Sequence, residues 1–98
     1  MKKLGNKKQA PGAYSIEYLQ KVVSNDIPHL PKSVRIQIKR AIEERLMVDP
    51  ISFGKPLRYS LKGLRRLRVG DYRIIYQVKK TRVIISAIKH RKEVYEDA

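Results

Sequence analysis

LRRLRVGDYRIIY, residues 64–76, sets four arginines, Arg65, Arg66, Arg68 and Arg73, among the apolar positions of two strand-like runs. Gly70-Asp71 between the runs reads as a two-residue hairpin loop, glycine supplying the positive φ that such turns need. That loop fixes the register: Val69 faces Tyr72, Arg68 faces Arg73, Leu67 faces Ile74 and Arg66 faces Ile75. Side chains alternate along a strand, so Leu67, Val69, Tyr72, Ile74 and Tyr76 take one face, and Arg66, Arg68 and Arg73 take the other. Arg65 is set apart, because the same register puts it on the Tyr76 face, at the strand end, with its stem over apolar surface.

The apolar face is a core face. The opposite face is a guanidinium cluster, and opposed like charges in a sheet cost a few tenths to about 1 kcal/mol. A lone arginine there would read as a solvated side chain. Three that converge ask for an anion, and guanidinium forks match phosphate oxygens in pairs while staying charged at any physiological pH. A phosphate group or a nucleic-acid backbone is the natural ligand, and an acidic protein segment satisfies the same argument.

Outward from the hairpin, residues 82–88 form a third strand, joined near Lys80 and Thr81. Upstream, YSIEY (14–18) alternates as a short strand, and Leu19, Val22, Val23, Ile27 and Leu30 follow near helical spacing. Pro28 and Pro31 end that helix, and Pro31 opens the next. Val34, Ile38, Ala41, Ile42 and Leu46 form the apolar stripe of an amphipathic helix closed by Asp49-Pro50. Its outer residues, Lys32, Arg35, Lys39, Arg40, Glu43 and Glu44, read as a solvated face. The pattern predicts an α+β fold, a small antiparallel sheet packed against two N-terminal helices.

The chain of 98 residues has room for one domain, which the sequence places over residues 13–98, behind a basic flexible tail over residues 1–12. It carries 23 Lys and Arg against 9 Asp and Glu, a net charge of +14 that a polyanion or an acidic partner would meet. Between positions 55 and 92 stand thirteen basic residues and one acid, Asp71, so the second half carries the electrostatic function. No cysteine is present, which suits a reducing, cytoplasmic setting. No run suggests a membrane span or a secretory signal. Metal or cofactor chemistry finds no support: there is no CxxC, HExxH, glycine-rich phosphate loop or GxSxG, and the metal-ligating residues are too few to argue a site.

IKHRKEVYEDA, at the chain's end, gathers His90, Arg91, Glu93 and Tyr95. His90 and Tyr95 can handle protons, and Arg91 suits charge stabilisation. Glu93 reads as a partner for a neighbouring cation, and His29, between two prolines, as a surface residue.

The order strand, helix pair, DP, GKPL, LKGLRRLRVGDYRIIY, a β run and HRKEVY resembles the RelE-like toxins of bacterial toxin–antitoxin pairs, in the RelE/ParE superfamily, over roughly residues 13–97. The resemblance implies a metal-independent endoribonuclease that cleaves mRNA in the ribosomal A site, and an acidic cognate antitoxin that wraps it. Carried over by position, it implies roles for Arg66, Arg68, Arg73, Arg91, Tyr95 and His90 in catalysis. Lys55, Lys62, Arg65, Lys89 and Lys92 are the flanking RNA-binding candidates. Arg66 and Arg68 stand where the best-known RelE enzyme has lysines, and Arg65 where many relatives have an aromatic residue. The expected chemistry is attack of a 2′-hydroxyl on the adjacent phosphorus, with arginines stabilising the phosphorane and His90 or Tyr95 moving protons. Two other readings share these features: a ParE-like toxin acting on DNA gyrase, and a non-catalytic basic RNA-binding module.

Overall fold

The computed structural model describes residues 13–93; the expected tail (1–12) and Tyr95 lie outside the described residues. The expected hairpin is present, with β3 (Arg65–Val69) and β4 (Tyr72–Lys79) paired as the register predicts, from Val69 opposite Tyr72 to Arg65 opposite Tyr76. Gly70 has φ of 60° in the loop, a value cheap for glycine and costly for most residues. β5 (Arg82–His90) pairs antiparallel with β4 and runs two residues beyond the expected strand.

Two further strands complete a five-stranded sheet of order β1-β5-β4-β3-β2. β2 is a two-residue strand, Lys55–Pro56, in a stretch the sequence pattern leaves as loop. It meets β3 with Lys55 opposite Arg66 and Pro56 opposite Arg65. β1 (Ser15–Tyr18) lies parallel to β5, so the sheet is mixed where a wholly antiparallel one is expected. A parallel neighbour needs a long crossover, and the chain between Tyr18 and Arg82 supplies it.

Helices cover one face. Val22–Asp26 is wound with i→i+5 hydrogen bonds, Ile27 N–H donating to the Val22 carbonyl at 2.9 Å. Helix α1 (Lys32–Ala41) begins just after Pro31 and continues through Ile42–Leu46 in the same wider winding, where Met47 N–H reaches the Ile42 carbonyl at 2.9 Å. Its stripe of Ile38, Ala41, Ile42 and Leu46 is buried, as the spacing predicts, while the six charged residues of the outer face are exposed. Asp49 then caps α2 (Pro50–Phe53), its carboxylate accepting from Ser52 N–H at 3.2 Å, one of the orphan donors of a helix start.

The core lies between this layer and the inner sheet face, where Leu67, Ile74, Tyr76, Val83, Ile85 and Ile88 meet Val22, Leu30 and the α1 stripe. Tyr76, fully buried, donates its hydroxyl to the Pro50 carbonyl at 2.6 Å. Among the described residues no helix is long and apolar enough to cross a membrane.

One irregularity decides which side chains reach the outer face. β4 and β5 slip by one residue, Ile75 pairing with Ala87 but Tyr76 with Ile85, so Ser86 is an extra residue in β5. Such a bulge reverses the alternation beyond it. Val83 and Ile85 point to the core before it, Ile88 and His90 after it, and Lys89 is turned to the outer face.

Candidate functional site

The outer face is organised in rows that cross the strands. One row runs Arg68, Arg73, Lys89 over β3, β4 and β5, and the next runs Lys55, Arg66, Ile75, Ala87 over β2 to β5. With adjacent strands about 4.8 Å apart, the first row sets three cations within about 10 Å. Arg73 is largely buried, at 8% exposure, and its Nη1 donates to its neighbour's carbonyl on Tyr72 at 3.3 Å. Lys62 sits at the margin, because Gln77, on the same face as Arg73, donates through Nε2 to its carbonyl at 2.6 Å.

Lys89 therefore belongs to the row that sequence reasoning built from arginines alone. The signal is visible afterwards: Ile85 and Ile88 are three apart where an unbroken strand keeps its apolar residues two apart. Its position also involves Asp26, which no sequence pattern singles out. β1 ends at Tyr18, opposite Ile85, so among the described residues the edge of β5 beyond it has no strand beside it, and the buried Asp26 carboxylate accepts Ile88 N–H there at 2.9 Å. Its other oxygen lies 3.7 Å from the Lys89 ammonium and accepts from the Asn25 amide at 3.2 Å. Burial pushes the Asp26 carboxyl up, but the Ile88 and Asn25 hydrogen bonds and the Lys89 and Lys21 charges outweigh it and hold the carboxyl below its ordinary value.

His90 is not brought to the arginines. It is the partner of Tyr72 on the helix face, and the two rings meet edge to face with centroids 5.2 Å apart. Its Nδ1 accepts from Lys92 N–H at 3.2 Å and its own N–H donates to Glu93 at 3.1 Å, so it shapes the short turn Arg91–Glu93. His90 ends β5, but the bulge turns its ring to the helix face; without the extra residue it would face outward. It instead shares a cleft of about 270 Å³ with His29, Asp26 and Tyr72.

Arg91 does reach the hairpin. Its backbone N–H donates to the Asp71 carbonyl at 2.7 Å and its Nε lies 3.7 Å from the Asp71 carboxylate, at the end of the sheet where Arg68 and Arg73 lie. Lys92 is exposed in the turn that follows. Arg65 is removed from the basic face, as its register requires. Its Nη2 donates to the carbonyls of Ile51 at 2.6 Å and Gly54 at 3.0 Å, tying the end of α2 to the sheet. That is a structural task, on the opposite side of the sheet from the row expected to bind RNA.

A sheet with helices on one face and a cationic row on the other fits the α+β fold that the resemblance to RelE-like toxins implies. A family described as the ParE toxin of the type II toxin–antitoxin system parDE matches residues 16–95, and the chain belongs to it. Toxin RelG of Mycobacterium tuberculosis is 32% identical over 72 residues, 71% of this chain and 83% of that one. Toxin RelE3 of Methanocaldococcus jannaschii is 33% identical over 79 residues, 78% and 90% of the two chains. In three dimensions the chain resembles a protein in the toxin–antitoxin complex RelBE2 from Mycobacterium tuberculosis, with a TM-score of 0.74 and 29% identity over 86% of this chain and 95% of that one. It is thus a toxin of a toxin–antitoxin pair, related to RelE.

Proposed function

We propose that this toxin is a ribosome-dependent, metal-independent mRNA endoribonuclease that cuts in the A site and stops translation. The observation that carries the reading is the row Arg68, Arg73, Lys89, flanked by Arg66. A phosphodiester laid across it would have its non-bridging oxygens among several donors. As the 2′-hydroxyl attacks and a fifth oxygen bonds to phosphorus, charge builds on those oxygens, and each well-placed donor lowers the barrier by about 2.7–4 kcal/mol. The products would be a 2′,3′-cyclic phosphate and a 5′-hydroxyl. Arg91, at the hairpin loop, would stabilise charge or hold a flanking phosphate, and Lys55, Lys62 and Lys92 would guide the strand.

Arginine is a poor proton carrier, so proton transfer falls by residue type to Tyr95 or His90. His90 would act around the strand end, from the helix face. The cognate partner in this reading is an acidic antitoxin. An apolar groove of about 240 Å³ between α1 and the β5 edge, floored by Ile38, Ile42 and Ile88 and rimmed by Arg35 and Lys39, fits an apolar segment flanked by carboxylates.

The family description favours one rival, a ParE-like inhibitor of DNA gyrase. Two assays on the purified toxin separate them. Primer extension on a defined mRNA translated in vitro should give cuts at A-site codons that require ribosomes, and gyrase supercoiling should be unaffected. Uncut mRNA with inhibited supercoiling would overturn the nuclease reading in favour of the rival.

A further inference from the structure

The basic face continues around the edge of the sheet. β2 pairs with β3 only at Arg65 and Arg66, so among the described residues the outer edge of β3 from Leu67 onward has no strand beside it. A cleft of about 290 Å³ opens there, walled by Arg45, Phe53, Lys55, Arg66, Leu67 and Arg68. Four of these are cationic and none is acidic. Arg66 and Arg68 belong at once to this cleft and to the outer-face rows.

Phe53 is the second observation. It is 50% exposed in a protein whose other phenylalanine positions are none, and its backbone is fixed on every side. Asp49 caps the helix it ends, Pro50 is buried, and Arg65 binds the carbonyls of Ile51 and Gly54 around it. A ring on a backbone held this way has only its own side-chain torsions left to order when it binds a flat partner.

We propose that this cleft is a nucleotide subsite, in which Phe53 stacks one base of the RNA while Arg45 and Lys55 hold the phosphate next to the one on the arginine row. The proposal rests on the nuclease reading and extends it to substrate positioning. A nucleotide carries a flat π-face and a negative charge in one unit, and the cleft offers a ring and cations in one wall; stacking on an aromatic ring is tolerant of base identity. An acidic peptide would satisfy the cations and would need a separate apolar side chain to cover the ring, whereas one nucleotide supplies both. The shared arginines make the path from row to cleft continuous.

The test uses the full-length toxin and a pentanucleotide of 2′-O-methyl RNA, which has no 2′-hydroxyl to attack, together with five versions in which one base at a time is removed. Affinities are read by NMR titration, which reaches weak binding. The wild type should bind the intact oligonucleotide about 5- to 100-fold more tightly than the version lacking the stacked base. Phe53→Leu should abolish that difference, Phe53→Tyr should keep it, and the Phe53 ring signals should move on binding. Arg45→Gln should weaken all the oligonucleotides alike and reduce the salt slope of binding by about one. The proposal falls if the wild type shows no binding, if it does not discriminate, or if Phe53→Leu still discriminates. It also falls if Phe53→Leu weakens only antitoxin binding, which would give the cleft to the protein partner. A toxin that cuts mRNA on the ribosome without Phe53-dependent discrimination loses the subsite alone. One that discriminates without cutting loses the nuclease reading and keeps the subsite.

Discussion

Arg73 and Lys89 stand opposite each other across β4 and β5 because β5 holds one extra residue, Ser86, between its pairs with Ile75 and Tyr76. The bulge puts Lys89 on the outer face and His90 on the helix face, where unbroken alternation would do the reverse, and it thereby ranks two neighbouring residues. Lys89→Met should lower cleavage of ribosome-bound mRNA by on the order of 100-fold, the loss of one donor to the phosphorane. His90→Phe keeps a ring against Tyr72 and should lower it by less than about tenfold. Single-turnover cleavage followed by primer extension checks both, and a reversed order would give the proton-transfer role to His90 rather than to Tyr95.

Arg73→Ala tests the centre of the same row. Arg73 has Arg68 on one side and Lys89 on the other, so its removal should cost cleavage at least as much as Lys89→Met, about 100- to 1,000-fold. Cleavage within a few-fold of wild type would remove the row from the chemistry.

Asp26 gives the fold a dependence on acid. Its carboxyl is held below the ordinary value of 3.8, so its contribution is present above that value and is lost as pH falls through the lower folded value. Asp26→Asn should therefore destabilise at neutral pH by about 1.5–3 kcal/mol, the worth of hydrogen bonds to a charged group. The gap between the wild-type and variant curves of Tm against pH should close as pH drops below about 4. A gap that stays constant into acid would show that the charge of Asp26 does not matter to the fold.

The hairpin and its register were legible because they are local: a Gly-Asp turn and strict alternation leave one way to pair Arg65–Val69 with Tyr72–Tyr76. The α1 stripe was legible for the same reason. What stayed hidden depends on residues far apart in the chain. Asp26 meets Ile88 across 62 positions, and β1 pairs with β5 in a direction that nothing in YSIEY encodes. Ser86 hid the reassignment of Lys89 and His90, since a bulge looks like an ordinary polar residue in a strand. The site was thus half legible: the arginines from pattern and Lys89 as a flanking cation, but the place of Lys89 in the row and its carboxylate partner from the fold alone.

Arg65 separates charge from structure. It is a cation beside Arg66, but its guanidinium binds the carbonyls of Ile51 and Gly54 on the helix side. Arg65→Ala should lower stability by about 1–3 kcal/mol through those two carbonyls, which at this size is a Tm loss of about 4–8 °C per kcal/mol. Cleavage per folded molecule, measured well below Tm, should stay within about twofold. Loss of cleavage with full stability would place Arg65 on the RNA after all.

Gly54 is where the two layers come closest, and the constraint is space. Its φ is −104°, open to any residue, but a Cβ there would lie 1.8 Å from the Tyr76 hydroxyl and 2.8 Å from the Arg66 carbonyl. Relief requires Tyr76 to leave the Pro50 carbonyl or β3 to move, and β3 carries Arg66 and Arg68. Gly54→Ala should therefore destabilise by about 1–3 kcal/mol, as overpacking of a tight site does. In the double variant with Tyr76→Phe, which removes the hydroxyl oxygen, the two effects should fall short of additive, because part of the clash is with the atom removed. Urea unfolding of the four proteins measures the coupling. Full additivity would mean that the Arg66 carbonyl and the Tyr76 ring carbon Cζ, each 2.8 Å from the added Cβ, resist the methyl group by themselves, and Gly54→Ala would then be expected to impair cleavage as well as stability.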